Sequence, residues 1–403
     1  MALGTSVPAG TAGSPPSRDE QWTPGIVQSV SPPGTFDLGP GYLEPALLPV
    51  GLLDAAYRQA LTEFGTAALS YGADQGALPL REALAARAGG RCGPGNVLVT
   101  GGISQALQLV STSMAAPADV VFVDRTSYDL GRRIITDCGL PLREVPGDAA
   151  GMDPAALVAA VAAERAAGRR PAFVYLNPTF HNPTGAVMPV PRRRALVSAA
   201  AEVGLLIVED DAYAGLGLDH GELPVSCAEL AGYHGVIRLC TFAKTLAPGL
   251  RLGWLLADPS LVGRLAGHGM FVSGGCVNHL ASLAATVLVR DGCYDRHLRW
   301  LRGQLRARRD ALAVPLRHQL GHRVDISCPR GGFFLWLRFP DGEREPDLLA
   351  AARQAGVVAA AGSRFGTVSR TSLRLAYSFN SPARLTEAAS RLGAAWETTA
   401  PSS

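Results

Sequence analysis

Between Asn96 and Trp254 one phrase recurs: a short Val/Leu/Ile-rich run, an abrupt cluster of polar or glycine residues, then an alanine-rich helical stretch. The clearest five runs are NVLVTGG, DVVFVDRTSY, AFVYLNPTF, LLIVEDDAY and VIRLCTFAK. Apolar runs without alternation suit strands covered on both faces. Intervening helical stretches such as PAALVAAVAAERAAG imply crossovers, so the phrase predicts an α/β fold with a parallel or mostly parallel central sheet. In such sheets the ligand lies beyond the carboxyl ends of the strands, where these runs leave Gly101, Gly102, Tyr128, Asn177, Asp210, Asp211 and Lys244.

A chain of 403 residues at 47% hydrophobic and 18% charged is long enough for more than one core. After about residue 290 the pattern changes to an Arg-rich amphipathic segment, then PRGGFFLWLRF, a helix near Pro346 to Gly356, and TSLRLAYSF. These predict a smaller α+β domain. The expected division is a disordered arm over 1–34, an N-terminal part of the small domain over 35–64, a large domain over 65–290, the C-terminal small domain over 291–395, and a frayed tail over 396–403. The most apolar stretch, Leu196 to Val208, is broken by Glu202 and is shorter than the roughly 20 residues that span a bilayer. No signal segment is evident, so a cytoplasmic chain with no membrane partner is expected. A formal charge of +3 with no Lys/Arg block argues against a nucleic-acid partner. The seven cysteines are scattered and include no CxxC pair, which predicts reduced thiols rather than a disulfide framework or a zinc site.

Four features carry chemistry. Lys244 stands in TFAKTLAPGLRLGW at an expected sheet edge, where partial burial disfavours the ammonium and leaves an amine able to form a Schiff base. LLIVEDDAY ends a buried strand in three carboxylates, and one of them, taken as Asp210, can hold a pyridinium nitrogen protonated. VLVTGGISQALQLV turns from strand to helix through two glycines, so the amides of Ile103 and Ser104 behind Gly102 can face a phosphate. Arg251 can add a bidentate cation to the same anion. Residue by residue, the alternatives are a surface lysine, solvated or metal-binding carboxylates, and a simple glycine turn; no ligand set for a metal is identified.

Together TFAKTLAPGLRLGW, HNPTG at 181–185, EDDAY at 209–213, SYG at 70–72 and SLRLAYSF at 372–379 resemble the signature set of the class I/II aminotransferases, in fold type I of the pyridoxal 5'-phosphate (PLP) enzymes. LNPTFHNPTG, SGGCVNH and PRGGFFLWL are most similar to the 2-aminoadipate/aromatic branch. The resemblance implies that Lys244 holds PLP and moves the substrate proton, and that Asp210 pairs with the pyridine nitrogen. It further implies that Asn182 and Tyr213 hydrogen-bond the phenolic oxygen and that Tyr128 stacks on the ring. Thr241, Arg251, Ile103 and Ser104 are implied to hold the phosphate, with Tyr71 reaching in from the second subunit of a homodimer. Arg374 is implied to grip the substrate α-carboxylate, with Gly39 near the entrance. The implied partners are an L-amino acid and a 2-oxo acid.

Some positions depart from the family or stay open. Arg125 replaces a usual proline and is expected on the surface. His181 is either a substrate contact or a packed histidine. His318 and His322 share a helical spacing without a third ligand and are expected to be solvated. The glycines of GGF at 331–333 and the Gly362-Ser363 turn are implied to border the pocket. Because Lys244 and Asp210 serve much PLP chemistry, replacement, elimination or cyclisation at the β or γ carbon is the alternative to amino-group transfer. A PLP-sensing transcription regulator is not expected, since no helix-turn-helix pattern precedes the first run.

Overall fold

The computed structural model of the chain describes residues 34–397 apart from 220 and 276. Residues 1–33 of the arm expected over 1–34, and residues 398–403 of the expected tail, lie outside the described residues. A seven-stranded sheet organises the first part of the chain: β1 (Val97–Thr100), β2 (Val120–Asp124), β3 (Leu142–Val145), β4 (Pro171–Leu176), β5 (Leu206–Asp210), β6 (Val236–Thr241) and β7 (Gly253–Leu256). Their spatial order is β1-β7-β6-β5-β4-β2-β3. The β2, β3, β4, β5 and β6 pairs are parallel, while β7 runs antiparallel to both of its neighbours.

The five runs of the sequence are β1, β2, β4, β5 and β6. Two strands were not among them: β3, an edge strand carrying Arg143 and Glu144, and β7, hidden in the apolar sequence that follows the lysine loop. Successive residues of these strands face opposite sides, as the pleat requires. Val97, Val99, Phe122, Val174 and Ile207 enter the core on one face, and Leu98, Val121, Val123, Phe173 and Val208 enter the core on the other. Each fully buried aliphatic side chain here contributes about 1.5–3 kcal/mol.

Because β7 is reversed, it begins at the edge where its neighbours end. Gly253 stands opposite both Thr100 and Thr241, so Arg251 joins the residues that follow β1 and β6. The approach is close: a methyl group added at Gly253 would lie 2.6 Å from the carbonyl oxygen of Cys240 and 2.8 Å from Cα of Gly102.

A second sheet is antiparallel, ordered β8 (Asp325–Ile326), β9 (Phe334–Arg338), β11 (Ser372–Ala376) and β10 (Ala360–Ala361). The helices Cys293–Leu320, Glu345–Gln354 and Pro382–Glu397 cover it, with Leu305, Leu312, Leu348 and Leu392 in the shared core. Residues 35–64 divide between the two cores. Phe36–Asp37 pairs in parallel with Val357–Val358 and Leu43 and Leu47 join the second core, whereas Ala56 and Ala60 of helix Val50–Phe64 enter the first. The frayed tail expected from residue 396 needs correction: Trp396 is buried, packs edge-on against Phe339 and donates its indole N–H to the carbonyl of Leu348 at 3.0 Å. Its large apolar area outweighs the helix-end tendency to fray.

Among the described residues no helix is long and apolar enough to cross a membrane, and no group of three His, Cys, Asp or Glu is placed to hold a metal. Cys227 and Cys240 are buried free thiols, while Cys328 is exposed.

Candidate active site

The three carboxylates that end β5 are sorted by strand alternation. Glu209 and Asp211 lie two residues apart and take partners within the framework. Glu209 accepts from the amides of Cys227 and Ala228 at 3.0 Å each and lies 3.6 Å from the fully buried guanidinium of Arg193. Asp211 accepts from Arg238 at 2.7 Å. Asp210 points the other way. Its Oδ2 accepts from the Tyr175 hydroxyl at 2.6 Å and its Oδ1 from the amide of Ala212 at 3.3 Å. Burial lifts its pKa to about 6; the charge of Asp211 adds to the rise, and the Tyr175 bond and the cation of Lys244 oppose it.

Lys244 follows β6. Its side chain is half-buried, but its ammonium sits among protein atoms and donates to the carbonyl of Gly41 at 2.7 Å. Burial pushes its pKa down to about 8; Arg374 and Arg251 push the same way, and Asp210 opposes them. At pH 7 roughly a tenth of the amine is therefore uncharged, a few hundred times the share of an ordinary lysine, and that is the form a nucleophile needs. Tyr213 is buried beside it, its ring centre 5.7 Å from Nζ, packed edge-on against Phe333 and Phe334. Half-buried Tyr128 caps helix Asp129–Asp137 and leans over Gly131 toward the Tyr175 hydroxyl; an added methyl there would lie 3.0 Å from Cδ1 of Tyr128. Burial, then the negative charge of Asp210, holds the Tyr128 hydroxyl firmly protonated.

The end of β1 supplies an anion cradle. Gly102, at φ +98, caps helix Ile103–Met114, and helix geometry leaves the amides of Ile103 and Ser104 without intrahelical acceptors. Arg251 is exposed and donates from Nη2 to the carbonyl of Gly101 at 2.9 Å, with the same nitrogen 3.2 Å from a methyl placed on Gly102. Thr241 completes this side, its hydroxyl accepting from the amide of Ala243 at 3.0 Å.

Across the site, Arg374 on β11 is buried and holds two fixed acceptors. Nη1 donates to Oδ1 of Asn182 at 2.8 Å and Nη2 to the carbonyl of Gly39 at 2.7 Å, while Nε is buried without a hydrogen-bond partner. Phe334 and Phe365 lie 4.0 Å and 4.6 Å from the guanidinium carbon, and burial lowers its pKa to about 10. Asn182 is held in turn by Asn177, whose Oδ1 accepts the Asn182 amide at 2.7 Å and whose Nδ2 donates to the carbonyl of Asp210 at 2.6 Å.

The site thus gathers Lys244, Asp210, Tyr213, Tyr128, Asn182, Arg374, Gly39 and, at the anion cradle, Gly102, Ile103, Ser104, Thr241 and Arg251. Tyr71 makes no contact with it within the chain, and its side chain is 87% exposed. His181 bonds Thr184 at 2.8 Å through Nδ1, and burial lowers its pKa to about 4, so it is a neutral residue of the turn. Arg125 is exposed. Tyr175, the carbonyl of Gly41 and the two phenylalanines around Arg374 were missed. Only Tyr175 left a sequence signal, a hydroxyl within an otherwise apolar strand.

A family model described as aminotransferase class I and II matches residues 49–392. The chain is 32% identical over 369 residues to the 2-aminoadipate transaminase of Thermus thermophilus, covering 90% of this chain and 90% of the relative. It is 31% identical over 348 residues to an uncharacterized HTH-type transcriptional regulator of Bacillus subtilis, covering 85% of this chain and 70% of that one. The solved structure of the α-aminoadipate aminotransferase of Thermus thermophilus, complexed with N-(5'-phosphopyridoxyl)-L-leucine, matches with a TM-score of 0.79 at 31% identity over 91% of this chain and 92% of the other.

Proposed function

Since the chain belongs to the class I and II aminotransferases, enzymes that work through pyridoxal 5'-phosphate, we propose how its own residues move an amino group between an L-amino acid and a 2-oxo acid. The observation that carries the reading is the meeting of an amine of lowered pKa, Lys244, with the buried carboxylate of Asp210 and the buried guanidinium of Arg374. The residues fit the cofactor and its substrate: a glycine-shaped anion cradle beside Arg251, a carboxylate able to share a proton, and a buried guanidinium N–H of Arg374 with no hydrogen-bond partner. When bound, pyridoxal phosphate supplies an aldehyde and an electron-withdrawing ring.

Lys244 would hold the cofactor through its amine and, as a base, would take up and return the proton of the substrate Cα. Asp210, buried and bonded by Tyr175, would share a proton with the ring nitrogen. Tyr213 and Asn182 would donate to the cofactor's phenolic oxygen, and Tyr128 would pack against its ring. The amides of Ile103 and Ser104, behind Gly102, bind the phosphate with Thr241 and Arg251. Arg374 orients the α-carboxylate, assisted by Asn182 and the Gly39 segment. The relatives named as transaminases favour this over replacement, elimination or cyclisation at the β or γ carbon.

A homodimer in the cytoplasm, with Tyr71 reaching the partner's phosphate, belongs to the same proposal. Large apolar side chains at Val50, Leu61, Leu69, Tyr71 and Leu78 are exposed together in one stretch of chain, beside a groove lined by Ser70, Tyr71, Gly72 and His279. A monomer seldom leaves such a patch uncovered. The decisive experiment loads the protein with pyridoxal phosphate, reduces it with borohydride and maps the pyridoxyl group. It is expected on Lys244; a colourless protein with no adduct there defeats the reading. A panel of amino donors with 2-oxoglutarate then reads the preferred side chain as kcat/KM.

A further inference from the structure

Asp210 and Tyr213 are three positions apart in sequence yet belong to different bodies of the molecule. Asp210 ends β5, and Asp211 after it donates its amide to Leu239 at 2.9 Å and pairs with Arg238, both on β6. From Tyr213 onward the chain leaves that sheet. Tyr213, Leu216 and Leu218 lie in the second core with Phe333 and Phe334. Gly217 bridges Gly331, the amide of Leu218 donates to Arg330 at 2.7 Å, and the amide of Gly332 donates to Leu216 at 3.1 Å.

One helix, Cys293–Leu320, holds this segment from behind. Arg302 donates to the carbonyl of Gly215 at 2.9 Å, Arg306 to that of Leu218 through Nε at 2.6 Å and again through Nη2, and Arg309 to Asp219 at 2.8 Å and to the carbonyl of Pro329 at 3.0 Å. The spacing of four and then three residues sets all three on one helix face. The same helix begins at Lys244's neighbour: Tyr294 donates to the Thr245 hydroxyl at 2.9 Å and His297 bonds the Thr245 carbonyl at 2.8 Å. A rigid rod rising about 1.5 Å per residue therefore connects the lysine loop to the tyrosine loop.

We infer that the helix Cys293–Leu320 is a gauge that fixes the Tyr213 hydroxyl relative to Lys244 and Asp210, with Arg302, Arg306 and Arg309 as positioning residues. The inference rests on the proposed role of Tyr213 at the cofactor's phenolic oxygen. A tyrosine that donates to this oxygen stabilises its anion and weakens its hold on the nearby Lys244-linked proton; a displaced tyrosine does neither. Tyr128, Arg374, Asp210, Asp129 and Lys244 are the charged or titratable groups near Tyr213, and the guanidinium of Arg306 donates to none of them but to the carbonyl of Leu218.

The test uses PLP-loaded protein and reads the pH midpoint of its visible absorption band, with thermal midpoints alongside. Tyr213→Phe is expected to raise that midpoint by about one pH unit. Arg306→Met should raise it by roughly half as much, Arg306→Lys by less, and Arg306→Met in the Tyr213→Phe background should add nothing. An unmoved midpoint in Arg306→Met, or a further shift in the double variant, overturns the gauge while leaving Tyr213's role intact. An unmoved midpoint in Tyr213→Phe overturns that role and the gauge with it. Should Arg306→Met fold poorly, Arg306→Lys against Tyr213→Phe decides by the same criterion.

Discussion

Tyr175 donates its hydroxyl to Oδ2 of Asp210 across 2.6 Å, with both groups buried. The bond favours the carboxylate, and without it the pKa, already lifted by burial to about 6, climbs further. Tyr175→Phe is expected to weaken pyridoxal phosphate binding to the apoprotein by about tenfold, the worth of a charge-assisted hydrogen bond. The gap widens toward pH 6, where the variant's Asp210 is protonated and the natural one still half ionised, and it narrows toward pH 8. A binding titration across that range checks the trend.

Lys244 titrates low. The rate at which the apoprotein captures pyridoxal phosphate should rise through a midpoint near its pKa of about 8, against 10.5 for an ordinary lysine. Stability follows the same shift. Below both values the lysine is charged folded and unfolded, so its burial costs the fold on the order of 1–3 kcal/mol. Lys244→Met should therefore raise the apoprotein's Tm at neutral pH, and the gain should vanish as pH rises from about 8 toward 10.5. Thermal melts at a pH series measure this.

Arg374→Lys keeps a cation and loses the planar fork held by Asn182 and Gly39. KM for the amino donor should rise about a hundredfold, with a smaller change in kcat. Reaction with an amine lacking the carboxylate should stay as slow as before. Steady-state kinetics with both donors separates carboxylate binding from general damage.

Arg193 is fully buried and ties the carbonyls of Pro178 and Met188 and the hydroxyl of Thr179 beneath the Asn182 turn. Arg193→Met removes these ties and the cation 3.6 Å from Glu209, whose buried carboxyl keeps the amides of Cys227 and Ala228 and the charge of Arg238. A loss of about 3–5 kcal/mol in urea unfolding is expected.

Much of this was legible beforehand, for reasons that are local. Unbroken apolar runs announced five strands, and a turn residue at the end of each announced the edge where Lys244, Asp210 and Gly102 meet. Period-2 alternation also separates Asp210 from Glu209 and Asp211, once β5 is known to end there. What was not legible depends on tertiary partners. β7 reads as part of the lysine loop until Thr100 and Thr241 flank it, and the docking of Gly215–Asp219 on the second core has no sequence signal. The proposed role of Tyr71 depends on a second chain.

That last dependence can be measured by mixing. Tyr71→Ala and Lys244→Ala proteins, each weak alone, should regain roughly a quarter of natural activity after joint unfolding and refolding, because half the dimers are hybrids with one intact site of two. No recovery would place Tyr71 outside the partner's site.

Gly253 touches none of the reacting groups, yet it sets the span between them. The reversed strand brings its bare α-carbon between the turn at Gly102 and the end of β6, where two backbones leave no room for one more carbon. A chain with alanine at this point would retain every side chain of the proposed site while the Gly102 turn and the end of β6 were forced apart, so the reach of a single small molecule would be written into the absence of one methyl group.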